Sequence, residues 1–125
     1  MRDQDKQTQV AIVDDDESVR GALQGLLLEA GLPACAFERA EDFLESGKRH
    51  EIGCLIADIR MPGMSGLELQ SRLNAERRSI PIIFITAHGD EEMRLRALRA
   101  GAVEFLAKPF DDQALLDSVR VALNR

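Results

Sequence analysis

The chain has 125 residues, 45% hydrophobic and 30% charged, an ordinary balance for one globular domain that buries roughly two-thirds of its unfolded surface. Its 22 acidic and 16 basic side chains leave a formal charge of −6, which argues against a nucleic-acid surface, because phosphate backbones need clustered Lys and Arg. No apolar stretch is long enough for a membrane span, Met1 to Lys6 lacks a signal-peptide core, and the absence of Trp and Tyr speaks against an aromatic stacking platform.

Residues 1–8 are polar and are expected to fray, leaving 9–125 as one domain. Val10-Ala-Ile-Val13 is a short β-branched run that predicts a buried strand, and it ends in Asp14-Asp15-Asp16-Glu17. Val19, Leu23, Leu26, Leu27 and Ala30 then recur at helical spacing, and Gly31 stops that helix. Pro33 to Phe37 predicts a second strand, and Ala40 to Ser46 a brief helix bearing Phe43 and Leu44, closed by Gly47. Cys54-Leu-Ile-Ala57 is an uncharged run that stops at Asp58, after which Pro62, Gly63 and Gly66 rule out a smooth continuation. Ser65-Gly-Leu-Glu68 fits a capping box, with Leu69 and Leu73 following on one face of a third helix. Ile80 to Thr86 predicts a fourth strand. Asp90 then opens a helix with Met93, Ala97 and Ala100 on one side, stopped by Gly101. Val103 to Ala107 predicts the fifth strand, Lys108-Pro109 a sharp turn, and Asp111 the cap of a last helix carrying Leu115, Val119 and Ala122. Cys35 and Cys54 lie in apolar strand-like runs without metal-ligand spacing. They read as small buried hydrophobes of a reducing compartment, which implies a cytoplasmic protein.

Strict alternation of β and α implies an α/β fold with a parallel sheet and helices on both faces. Right-handed crossovers leave few topologies, and the expected one is a doubly wound, flavodoxin-like sheet of five strands in the order 2-1-3-4-5 with five helices. The first and third strands are then neighbours at the switch point, where a crevice opens.

In such a sheet every strand's carboxyl end lies on one edge, so the polar residues that end the apolar runs converge. Strand one delivers Asp14 and Asp15, strand three Asp58, strand four Thr86 and strand five Lys108. Alone, Asp58 would serve as well to cap its turn, Thr86 as an ordinary strand residue and Lys108 as a surface lysine. Gathered together, three carboxylates repel, each pair about 4 Å apart costing roughly 1 kcal/mol in water and about 4 kcal/mol at an effective dielectric of 20. A cation is implied, and oxygen-only ligands suit Mg²⁺, with Mn²⁺ or Ca²⁺ as substitutes. His88 is expected to be a solvated loop residue, and His50 lies in a polar loop with no assigned role. A lysine ammonium and a threonine hydroxyl both suit phosphoryl oxygens. Asp58 then becomes a nucleophile able to form an aspartyl phosphate.

These residues resemble the receiver domain of bacterial two-component response regulators, the family of the chemotaxis protein CheY. The resemblance runs from Val10 to Leu123 and rests on the acidic pair, on Asp58-x-x-Met-Pro-Gly-Met-Ser-Gly66, on Thr86-Ala87 and on Lys108-Pro109-Phe110. Thr86-Ala-His-Gly-Asp90 and Gly101-Ala-Val-Glu-Phe105 are similar to the FixJ-like subfamily, usually transcription regulators. The resemblance implies that Asp58 accepts a phosphoryl group from a phosphohistidine of a sensor histidine kinase. It implies direct Mg²⁺ ligation by Asp15, Asp58 and the Arg60 backbone carbonyl, with Asp14 acting through water. It also implies phosphoryl contacts from Thr86 and Lys108, a cis Lys108–Pro109 bond, and access left open by small Ala87. Phe105 stands at the family's switch aromatic and, lacking a hydroxyl, reports only by packing. The implied output is a two-state change in the face of helix four, strand five and helix five, leading to a homodimer. Arg94, Arg99, Glu104 and Asp112 offer charges there that could pair across a two-fold. Asp16 is expected to cap the first helix rather than bind metal.

The resemblance implies a signalling switch rather than a turnover enzyme. A DNA-binding output would need a further domain beyond Arg125. The rival reading is a metal-dependent phosphohydrolase in which Asp14, in Asp14-Asp15-Asp16, is the aspartyl nucleophile. A flavodoxin-like cofactor binder shares the expected fold, but strand one is not followed by a phosphate-cradling loop.

Overall fold

A computed structural model describes residues 9–77, 80–87 and 89–124. The expected fraying of residues 1–8 and the reading of His88 as a loop residue lie outside the described residues. Strands β1 (Gln9–Val13), β2 (Ala34–Phe37), β3 (Ile52–Asp58), β4 (Ile82–Thr86) and β5 (Glu104–Ala107) alternate with α1 (Glu17–Glu29), α2 (Ala40–Glu45), α3 (Gly66–Ala75), α4 (Glu91–Arg99) and α5 (Asp112–Leu123). All strand pairings are parallel, in the order β2-β1-β3-β4-β5. The expected topology is the observed one.

Pleating divides the core into two clusters. Val10, Ile12, Cys54, Ile56, Ile83 and Ile85 face Leu23 and Leu27 of α1 and Leu115, Val119 and Ala122 of α5. Ala11, Val13, Leu55, Ala57 and Phe84 face Phe43 of α2, Leu69 and Leu73 of α3 and Ala97 of α4. Burying each large aliphatic or aromatic side chain contributes roughly 1.5–3 kcal/mol. Side-chain acceptors cap four helices, since Asp16, Ser65, Asp90 and Asp111 each accept backbone amides of the following turn. Ser65 and Glu68 form the full capping box.

Some details differ from expectation: β2, β4 and β5 begin at Ala34, Ile82 and Glu104 rather than at Pro33, Ile80 and Val103. β3 begins at Ile52 rather than Cys54, because Gly53 continues the strand and Ile52 is fully buried. His50 falls in a single 3₁₀ turn, Arg49–Glu51, rather than an open loop. Ala100 is the exposed C-cap of α4 instead of part of its buried face, and its carbonyl accepts a hydrogen bond from Asn74.

Candidate functional site

Register brings the strand ends together. Val13 pairs with Ala57, so Asp14 and Asp58 follow at matching positions on adjacent strands. Asp58 pairs with Ile85, Thr86 with Ala107, and the Lys108 amide donates to the Thr86 carbonyl at 2.9 Å. All these ends sit at one rim of the sheet, where open α/β folds form their ligand crevice.

The ionised groups meet directly there. Lys108 Nζ donates to Oδ2 of Asp14 at 2.9 Å and to Oδ2 of Asp58 at 3.0 Å. The second oxygen of each acid is also engaged, Asp14 Oδ1 by the Asp16 amide at 2.9 Å and Asp58 Oδ1 by the Ile59 amide at 2.7 Å. Arg20 anchors the turn from outside by donating to the Asp14 carbonyl at 2.8 Å. Burial pushes the Asp14 carboxyl above its ordinary value, against the opposing pull of the Asp16 amide and Lys108. Burial also tends to pull Lys108 down, but its hydrogen bonds to Asp14 and Asp58 prevail and leave it raised.

Asp14, Asp15 and Asp58 each present a carboxylate oxygen within 4.8 Å of the others. Asp14 is fully buried and Asp58 is 7% exposed, whereas Asp15 is exposed. This set fits a hard divalent cation. It is oxygen-only and rich in negative charge, and one lysine does not neutralise three acids. Among the described residues no other group of three His, Cys, Asp or Glu side chains comes together in this way.

Thr86 is buried at the end of β4, with exposed Ala87 after it. Phe105 is half-buried on β5, its ring centroid 6.4 Å from that of Phe84. Arg60 lies on the exposed start of the loop after β3. The Lys108–Pro109 peptide is cis. On the α4 face, Arg94 is held by Glu91 of its own helix at 2.8 and 2.9 Å, and Glu104 accepts the Phe105 amide at 3.0 Å. Both cysteines are free, and burial drives the Cys54 thiol up to about 12.

The sequence reading missed two glycines that the site depends on. A Cβ at Gly66 would lie 2.2 Å from the Asp58 carbonyl oxygen and 3.0 Å from Phe84, so only glycine lets α3 start against the end of β3. A Cβ at Gly89 would lie 2.6 Å from the Thr86 methyl and 2.8 Å from the Phe105 ring edge. In sequence, both look like ordinary turn glycines.

The rival hydrolase reading finds no support. Asp14, its required nucleophile, is fully enclosed, whereas Asp58 keeps 7% of its surface exposed. No helix among the described residues is long and apolar enough to cross a membrane.

Comparison with known proteins points one way. Residues 10–120 match the model of the response regulator receiver domain. The chain is 47% identical over 116 residues to nodulation protein W of Bradyrhizobium diazoefficiens, covering 93% of this chain and 51% of that protein. It is 43% identical over 116 residues to the transcriptional regulatory protein FixJ of Azorhizobium caulinodans, covering 93% and 55%. The chain therefore spans about half the length of these curated relatives. The crystal structure of FixJ-N superposes with a TM-score of 0.85 at 38% identity, covering 100% of this chain and 97% of that one. With parallel β2-β1-β3-β4-β5 topology, acids and a lysine gathered at one rim, and relatives of this kind, the chain belongs to the response regulator receiver domain family, among the FixJ-like two-component regulators.

Proposed function

We propose that the domain accepts a phosphoryl group on Asp58 from the phosphohistidine of a sensor histidine kinase. The observation that carries this reading is Lys108 Nζ bridging Asp14 and Asp58 at 2.9 and 3.0 Å, at the rim where Thr86 also ends its strand. In the step proposed, a carboxylate oxygen of Asp58 bonds to phosphorus while the phosphorus–nitrogen bond to the imidazole breaks, and the imidazole leaves. Lys108 and Thr86 supply donors to the transferred group, and small Ala87 leaves the approach open. Asp15, Asp58 and the Arg60 carbonyl would hold Mg²⁺ directly, with Asp14 acting through water. The bound ion supplies charge neutralisation for the incoming phosphoryl group.

Phosphorylation would then draw Thr86 inward and let Phe105 rotate into the vacated space, remodelling the face of α4, β5 and α5. Reversing a 1:99 equilibrium to 99:1 needs about 5.5 kcal/mol. One to three new charge-assisted hydrogen bonds, each worth roughly 1.5–3 kcal/mol, reach that scale. The proposed readout is a homodimer through this face and a transcriptional output, as the name of the FixJ relative suggests. A DNA contact would come through a further C-terminal domain, and the setting would be cytoplasmic.

Incubation with acetyl phosphate and Mg²⁺ tests the central claim. Wild type should gain one phosphoryl group by intact mass, and Asp58→Asn should gain none. Labelling that persists in Asp58→Asn would reject Asp58 as the acceptor.

A further inference from the structure

We propose that Glu41, in the first turn of α2, is a positioning residue for the phosphoacceptor loop. Its carboxylate fixes the turn between β3 and α3 that carries Arg60 next to Asp58. The inference rests on the metal reading above, in which the Arg60 carbonyl faces the cation.

The turn is tied at its base by the Gly66 amide donating to the Ile59 carbonyl at 2.8 Å and by the Ser65–Glu68 capping box. Its outer part is held differently. The Met64 amide donates to Glu41 Oε2 at 3.0 Å, across 23 residues of sequence. Among the described residues, this is the one hydrogen bond that links residues 60–64 to another element. Gly63 has φ +76°, and a Cβ there would lie 2.6 Å from Glu41 Oε2 and 3.3 Å from its Cδ. Glycine suits this position for its left-handed backbone, and a Cβ there would also push the Glu41 carboxylate aside.

Glu41 stands on a firm base, because Ala40 and Phe43 on either side of it are fully buried in the core. Hydrogen bonds from its own backbone amide and from Met64 hold its carboxyl below the usual range. A carboxylate fixed at the start of α2 and bonded to the loop can keep a backbone carbonyl in place beside a cation, since groups outside the ligand shell orient the ligands.

The test compares Glu41→Ala with Glu41→Gln, whose amide oxygen can still accept from Met64. Amide exchange at Met64 is followed without metal, and Mg²⁺ affinity is measured by titration calorimetry. Glu41→Ala should expose the Met64 amide and weaken Mg²⁺ binding about tenfold, while Glu41→Gln stays within about twofold of wild type. Wild-type affinity in Glu41→Ala, or equal losses in both variants, would overturn the proposal. A wild-type chain that takes up no Mg²⁺ would overturn the metal reading and this inference with it, a failure distinguished by its flat wild-type isotherm. Should circular dichroism find Glu41→Ala unfolded, Glu41→Leu, which keeps side-chain bulk but cannot accept from Met64, carries the same expectation.

Discussion

Asp58 and Lys108 stand 50 residues apart in sequence and meet across 3.0 Å at the end of the sheet. The ammonium occupies Oδ2 of Asp58 while also holding Oδ2 of Asp14, so one positive charge is shared between two of the three acids at the rim. Its charge competes with any cation for those oxygens, yet in the proposed reaction it also donates to the incoming phosphoryl group. The two roles make opposite demands and can be separated.

Lys108→Ala should leave Mg²⁺ affinity equal to or tighter than wild type, because a competing positive charge has gone. Labelling by acetyl phosphate should slow by about a hundredfold, the usual scale for losing one donor to developing charge. The residual phosphorylated protein should remain monomeric by light scattering. Normal dimerisation in this variant would show that the proposed Lys108 contact to the phosphoryl group is not needed for switching.

Gly66→Ala tests how tightly the helix start is fitted against Asp58. The added methyl meets the Asp58 carbonyl and the Phe84 ring, neither of which can yield without moving β3 or the core. Overpacking of this kind costs about 1–3 kcal/mol, and the shift it forces falls beside Asp58. Urea unfolding should show that loss, and acetyl phosphate labelling should slow as well. Serine at Gly25 is a control, since a Cβ there meets nothing within 4 Å. Unchanged stability and labelling in Gly66→Ala would mean that the close approach is not required.

The strand ends were readable because an apolar run that stops at a charged residue marks where the chain leaves the core, as at Asp14 and Asp58. Parallel topology then gathers those ends without any knowledge of contacts. What could not be read was the difference between Asp14 and Asp15. β1 ends at Val13 and the chain bends at Asp15, so Asp14 is fully buried at the sheet's edge and Asp15 is exposed beyond it. Glu41 was equally hidden. Its link to Met64 spans 23 residues, and an acid in the first turn of a helix looks like a partner for the helix dipole. Gly66 and Gly89 carry no distinguishing pattern, because the constraint on each lies in the residues it approaches and not in its own neighbours.

Cys54 makes the fold's stability depend on alkaline pH. Burial raises its thiol from 9.0 to about 12, so the folded protein keeps the proton after the unfolded chain has lost it. Stability from this group is complete below pH 9 and falls as pH rises towards 12. One proton's difference is worth about 1.4 kcal/mol per pH unit, so roughly that amount should vanish between pH 8 and pH 10. Cys54→Ala should be slightly less stable at pH 8, through its lost volume, but should lack this part of the slope. Urea titrations at the two pH values measure both; parallel slopes would show that another group controls the alkaline transition.

Gly89→Ala separates phosphorylation from its readout. A Cβ at Gly89 would come within 2.6 Å of the Thr86 methyl and 2.8 Å of the Phe105 ring edge. The added methyl would therefore crowd both side chains in the arrangement seen here. If activation moves Thr86 towards Asp58 and turns Phe105 into the space released, the extra methyl penalises the resting arrangement more than the active one. The variant should then dimerise measurably without phosphorylation, the balance shifting by roughly tenfold for each 1.4 kcal/mol of that difference. Asp14, Asp15, Asp58 and Lys108 are not touched by the added atom, so acetyl phosphate labelling should stay within about threefold of wild type. Sedimentation equilibrium of the unphosphorylated protein decides the matter. A variant that stays monomeric when unphosphorylated yet dimerises normally once labelled would show that Thr86 and Phe105 do not move past Gly89 during switching.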